Sequence, residues 1–142
     1  MPEVETVTAS TVTRPGVDQV ESNAAAFLRL SSGATLTLEV GWSLLMEKDF
    51  AYLNLFGEHG AALLNPLRLH REMHGSLVNV TPSVESSRNI YRQSYDNELT
   101  HFVDCVRSGK TPLSPGSEAV TVLKVLEAIY KSAQTGREVK LA

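Results

Sequence analysis

Hydrophobic and polar positions alternate with a period of two through the first half of the chain and shift to helical spacing in the last third. Residues 4–13 are rich in Val and Thr, which suit a pleated surface and lose side-chain freedom in a helix. Arg14-Pro15-Gly16 then marks a turn. In 23–30, Ala24, Ala26, Leu28 and Leu30 share one face, and Ser31-Ser32-Gly33 leaves a hairpin-length break. The cleanest alternation follows. Leu36, Leu38, Val40 and Trp42 face one way, Thr35, Thr37, Glu39 and Gly41 the other, as in a half-buried antiparallel strand. Residues 50–56 carry apolar side chains on both faces, which predicts a central strand covered on both sides. Gly57 and Gly60 bracket a turn into 61–64, Asn65-Pro66 breaks the chain, and 67–72 and 76–80 form two strands around His74-Gly75. Close-spaced strands with short turns predict an antiparallel meander. Residues 81–94 are polar and irregular and read as a surface crossover.

Two helices follow. The first runs from about Tyr91 or Ser94 to Ser108, with Tyr95, Leu99, Phe102, Val103 and Val106 as its burial stripe. Gly109 provides a left-handed cap, and Pro112 prevents continuation. The second takes Ser114 as N-cap and Pro115 as its first residue. Ala119, Val122, Leu123, Leu126, Ile129, Tyr130 and Ala133 line its predicted buried face, which Val125 widens, and Gly136 ends it. Val139 and Leu141 close the chain as an edge strand. Strands first and helices after predict an α+β fold: a mostly antiparallel open β-sheet of about six to eight strands with the helices packed on one face. Nothing left in the chain covers the other face, and an extended apolar sheet surface reads as a partner site.

Composition narrows the function classes. A chain of 142 residues fits one domain. Its net charge is −3 and its basic residues are scattered, which points away from nucleic acid. The single cysteine, Cys105, fits a reducing compartment. No apolar run approaches the ~20 residues of a membrane span, and Met1-Pro2-Glu3-Val4-Glu5 is not a signal peptide, so a cytoplasmic location is expected, with no membrane partner.

The last third carries the most specific pattern: Tyr95-x-x-Glu98-Leu99-x-x-Phe102, Gly109-Lys110-Thr111-Pro112, Ser114-Pro115-Gly116-Ser117-Glu118, and Ala128-Ile129-Tyr130-Lys131-Ser132-Ala133 before Gly136. This order resembles the C-terminal domain of the glucose–fructose oxidoreductase / inositol dehydrogenase / MocA family of NAD(P)-dependent sugar dehydrogenases. The resemblance implies a single C-terminal substrate and oligomerisation domain over 1–142, without the N-terminal nucleotide domain. It also implies an isologous homodimer through the open sheet face. NAD or NADP would be bound by the missing domain, with no cofactor expected on this chain and a small-molecule substrate in the parent enzyme.

The chemistry of the residues agrees. A dinucleotide needs Gly-x-Gly-x-x-Gly between a strand and a helix, and no three of the nine glycines have that spacing. Members of the resembled family carry a Glu-Lys-Pro lysine and an Asp-x-x-x-His helix. Here Glu47-Lys48 is followed by Asp49, and Leu55, Pro66, His70 and Asn97 stand four residues before the four histidines. No catalytic residue is therefore assigned. The chain reads as a truncated form, a proteolytic remnant or a short gene product, inactive by itself.

Two residues are assigned as substrate-binding on the resemblance, Tyr95 and Trp42. Against this, Tyr95 also starts the burial stripe of the first helix, and Trp42 also suits a core or interface position. His101 lies opposite the apolar stripe, as a solvated side chain would. Arg68 and Arg71 are candidates for a carboxylate or phosphate, or plain surface charges. His70-x-x-x-His74 has zinc-ligand spacing for a helix, but it falls in a strand pattern, so no metal site is assigned. Cys105 flanks the helical stripe as an inert, partly buried thiol. The preferred function is the substrate-side and dimerisation domain of an oxidoreductase acting on a sugar, cyclitol or related secondary alcohol. The alternative is a free-standing, non-catalytic α+β dimer that binds a small ligand or a protein.

Overall fold

The computed structural model describes residues 3–14, 16, 20–83 and 89–141. Pro15 of the predicted first turn and residues 84–88 of the predicted crossover lie outside the described residues. The strands are β1 (Val4–Val12), β2 (Asn23–Leu30), β3 (Thr35–Gly41), β4 (Leu53–Gly57), β5 (Gly60–Leu64), β6 (Arg68–Met73), β7 (Ser76–Asn79) and β8 (Val139–Lys140). The helices are α1 (Ile90–Ser108) and α2 (Gly116–Thr135). The α+β class and the strand number are as expected, and all strand pairs are antiparallel. The strands are divided between two four-stranded sheets. The chain forms two compact units, Met1–Leu45 with His101–Ala142, and Met46–Thr100.

In the first unit the strand order is β3-β2-β1-β8, and α2 packs over β1 and β8. Val7, Ala26, Leu28, Ala128 and Ile129 form the core, with Val4, Ala9, Val125, Val139 and Leu141 packed around it. A bulge lets Val4 join Val7 on one face. Val4 pairs with Leu30 but Thr6 pairs with Arg29, so Glu5 is the extra residue and side-chain parity shifts by one. The Glu5 carbonyl accepts the Leu141 N–H at 2.9 Å. Burying side chains such as Val7, Leu28 and Ile129 contributes about 1.5–3 kcal/mol each.

Three expectations change here. Leu36, Leu38 and Val40 pair with Leu28, Ala26 and Ala24 and so share the core face, yet all three are exposed. The reason is coverage: α2 lies over β1 and β8, and β3 is two strands farther out. On α2 the buried residues are Ala128, Ile129 and Ser132, whereas Val122, Leu123, Leu126 and Tyr130 are exposed. At ~100° per residue the buried face is rotated by about 100° from the predicted one. The N-cap is Pro115, extended at ψ 157, whose carbonyl accepts the Glu118 N–H. No side chain caps this end, so Ser114 does not play the predicted role. Gly136 closes α2 at φ 65, its N–H donating to the Ser132 carbonyl.

In the second unit β4-β5-β6-β7 is the expected meander. His74 and Gly75 have φ of 53 and 75, the left-handed pair that a two-residue hairpin turn requires. Gly60 is needed for a different reason: a Cβ there would lie 2.5 Å from the His70 carbonyl oxygen. The strand predicted at 50–56 is shorter and is the outer strand of its sheet, not a central one. Its start is displaced because the Asn65 amide donates to the Ala51 carbonyl at 2.8 Å, and the ladder begins only at Leu53–Leu64.

Helix α1 is capped at its start by Asn89, whose Oδ1 accepts the Arg92 N–H at 3.2 Å. At its end Gly109 is left-handed and the Lys110 N–H reaches the Cys105 carbonyl. The predicted stripe of Tyr95, Leu99, Phe102, Val103 and Val106 is exposed, and the buried residue is Cys105. Amphipathic spacing marks a face able to be buried, and these residues are exposed among the described residues.

Candidate substrate-contact surface

Tyr95 stands on α1 with its side chain half exposed, at 49%. One turn earlier, Tyr91 lies on the same helix face, because residues four apart are neighbours there. The two rings meet edge to face, centroids 5.0 Å apart and planes at 61°. Their hydroxyl oxygens share a hydrogen bond of 3.3 Å. That bond first, then burial, then the Glu98 carboxylate raise the Tyr95 phenol above its ordinary value. Beside the pair, the Arg92 guanidinium lies 3.9 Å from the Asp96 carboxylate. Tyr95 is thus a presented, neutral hydroxyl and not a core aromatic. Tyr91 was not singled out in the sequence; its four-residue spacing from Tyr95 was the available signal.

Trp42 follows β3, its N–H donating to the Ser22 carbonyl at 2.9 Å. Its side chain is 83% exposed, so a core position is excluded within this chain. Tyr95 and Trp42 fall in different units.

His101 is not solvated. It is partly buried, and its Nε2 accepts the Leu113 N–H at 3.0 Å, which requires an unprotonated Nε2. Cys105 Sγ lies 3.6 Å from the same nitrogen. An Nε2 lone pair occupied by an amide is poorly placed to take a thiol proton, which argues against a nucleophile–base pair. Arg68 and Arg71 are three residues apart on β6 and project to opposite faces, so they do not converge on one anion. His70 lies in β6 and His74 in the turn after it, and among the described residues no three metal-ligating side chains cluster.

Elsewhere in the first unit, the Tyr130 hydroxyl donates to Glu21 Oε1 at 2.5 Å, which lowers the Glu21 carboxyl and raises the Tyr130 phenol. A groove of about 580 Å³ runs along Glu3, Glu5, Thr6, Thr121, Lys124 and Lys140. Its two carboxylates and two ammonium groups offset each other. No glycine lies in the sequence between β7 and α1, and α2 follows another helix, so neither helix start carries the Gly-x-Gly-x-x-Gly turn of a dinucleotide site.

Comparison with known proteins supplies the context. Residues 1–141 match the family described as "Oxidoreductase family, C-terminal alpha/beta domain". The scyllo-inositol 2-dehydrogenase (NAD(+)) of Bacillus subtilis (strain 168) is 28% identical over 123 residues, 83% of this chain and 34% of that protein. The D-xylose 1-dehydrogenase (NADP(+)) 2 of Haloferax volcanii is 42% identical over 48 residues, 34% of this chain and 15% of that protein. The aldose-aldose oxidoreductase from Caulobacter crescentus, crystallised with glycerol, shares the fold with a TM-score of 0.77 at 23% identity, covering 99% of this chain and 42% of that one. The chain therefore spans less than half the length of these proteins.

Proposed function

The chain belongs to this oxidoreductase family as its C-terminal alpha/beta domain, and from that premise we propose that it is the substrate-side and dimerisation domain of an NAD(P)-dependent dehydrogenase. The parent enzyme acts on a secondary alcohol of a sugar, cyclitol or related polyol. The observation that carries this reading is the match over 1–141, supported by a sequence in which no three glycines have the Gly-x-Gly-x-x-Gly spacing. The named relatives work with NAD(+) and NADP(+) on scyllo-inositol and D-xylose, which supports the substrate class and leaves both cofactors open.

In this reading the nucleotide site and the proton-handling groups belong to polypeptide outside the domain. The domain's own residues bind and orient substrate and exclude water from it. Tyr95 offers a neutral hydroxyl to a substrate oxygen. Trp42 offers an exposed indole face, suited to stacking on a sugar ring. The domain is inactive alone, pairs with a second copy through an open sheet face, and works in the cytoplasm, where the lone Cys105 stays reduced.

The test is direct. Titration of the isolated chain with NADH or NADPH leaves Trp42 fluorescence without saturable quenching; micromolar binding overturns the placement of the nucleotide site. Sequencing upstream of Met1 finds an in-frame glycine-rich strand–turn–helix and an Asp-x-x-x-His helix. A promoter and ribosome site immediately before Met1 instead supports the free-standing, non-catalytic dimer. Sedimentation at micromolar concentration gives a dimer, and a monomer there removes the dimerisation role.

A further inference from the structure

Within the second unit, Tyr91 and Tyr95 present two phenol oxygens 3.3 Å apart on one face of α1. Both are open to solvent, Tyr91 at 75% exposure. Each phenol has one donor hydrogen and two acceptor lone pairs. Their mutual bond uses one donor and one acceptor, leaving the pair able both to donate and to accept. The edge-to-face ring contact fixes the second hydroxyl relative to the first. Glu98 places negative charge near Tyr95, and the nearby Arg92 is engaged by Asp96, so the surroundings disfavour an anionic ligand.

We propose that Tyr91 is a second specificity-determining contact, and that Tyr91 and Tyr95 together bind the vicinal diol of a neutral polyol, one hydroxyl to each phenol oxygen. This deepens, and rests on, the reading of Tyr95 as a substrate contact. Adjacent hydroxyls of a sugar or cyclitol offer donors and acceptors at a span comparable to that of the phenol pair. A phosphorylated or acidic sugar meets the Glu98 carboxylate and is disfavoured.

The experiment uses the full chain with ring-labelled tyrosine, followed by NMR during titration with myo-inositol. Trimethylene glycol, whose hydroxyls are not adjacent, is the control. Both the Tyr91 and the Tyr95 resonances shift saturably with myo-inositol and not with the control. Tyr91→Phe keeps the ring, weakens the apparent affinity about fivefold through loss of one neutral hydrogen bond, and returns the Tyr95 ionisation toward the ordinary tyrosine range. If Tyr91→Phe leaves the affinity and the Tyr95 titration unchanged while Tyr95→Phe weakens binding, the role of Tyr91 is overturned and that of Tyr95 stands. If Tyr95→Phe changes nothing, or the wild-type chain shows no saturable shift, the reading of Tyr95 fails and this proposal with it. An equal response to trimethylene glycol overturns the preference for adjacent hydroxyls.

Discussion

The Ser132 hydroxyl stands in for a rung of the β1–β8 ladder: it accepts the Ala9 N–H at 2.9 Å and donates to the Arg137 carbonyl at 2.7 Å. The register shows why. Thr6 pairs with Lys140 and Val7 with Val139, so the next pair on that edge of β1 is Ala9 with Arg137. Arg137 lies outside β8, just past the end of α2, where the ladder no longer continues. A hydroxyl from α2 relays the bond. Ser132 is fully buried, at 0% exposure, and its own carbonyl accepts the Gly136 N–H.

Ser132→Ala therefore leaves the partly buried Ala9 N–H and the Arg137 carbonyl without this partner while changing little volume. Such orphaned groups cost about 1–3 kcal/mol together with the lost bonds. Urea unfolding of the variant shows a midpoint lowered accordingly with an unchanged slope. A loss below about 0.5 kcal/mol, the range of neutral surface changes, means the relay is not a stabilising contact.

The face of α2 that faces β1 makes the second prediction. Ile129→Ala costs about 2–4 kcal/mol, because it opens a void against Val7 and Leu28. Leu126→Ala costs under about 1 kcal/mol in the isolated chain, because Leu126 is 42% exposed. Thermal or urea denaturation of the two variants reads the difference. The reverse order means that Leu126, and not Ile129, makes the main contact of α2 with the core.

Much of the fold was legible, for identifiable reasons. β2 was read with its bounds and its buried face, because Ala26 and Leu28 alternate cleanly and lie under α2. Turns at Ser31-Ser32-Gly33 and His74-Gly75 were legible because Gly33 and Gly75 sit at positive φ, and the turn at Gly57–Gly60 because two glycines bracket it between apolar runs. What pattern alone could not supply was which apolar face is covered. Leu126 and Ile129 look alike in a helical pattern, and a small hydroxyl, Ser132, occupies the centre of the true buried face. The shift of parity at Glu5 is likewise invisible in a run of Val and Thr. Tyr95 was read as a candidate contact from a resemblance, whereas its pairing with Tyr91 needed coordinates.

The Glu21–Tyr130 bond sets limits at both ends of the pH scale. Glu21 titrates below its ordinary value because Tyr130 donates to its carboxylate. Its stabilisation is present above the unfolded carboxyl pKa and is lost as pH falls through the folded one. Tyr130 titrates above its ordinary value because it donates to Glu21. Its stabilisation is present below the unfolded phenol pKa and is lost as pH rises through the folded one. Tyr130→Phe removes both dependences, so its stability difference from wild type is largest at neutral pH and shrinks toward both extremes. Denaturation midpoints across the pH range check this, and a difference that does not vary with pH assigns the change to ring packing alone.

Gly60→Ala tests how closely β5 and β6 approach. Gly60 pairs with Arg71 in the ladder, and an added Cβ would lie 2.5 Å from the His70 carbonyl oxygen, which is backbone and cannot swing aside. The two strands must separate locally, with a cost of about 1–3 kcal/mol. Gly75→Ala differs in kind: nothing lies within 4 Å of its added Cβ, but φ is 75, so the penalty there is conformational. Hydrogen exchange separates the two. Gly60→Ala accelerates exchange at the amides shared by β5 and β6, whereas Gly75→Ala loosens only the β6–β7 turn. Equal effects of both variants on both hairpins mean that the strands yield as one unit and that the close approach at Gly60 is not a local constraint.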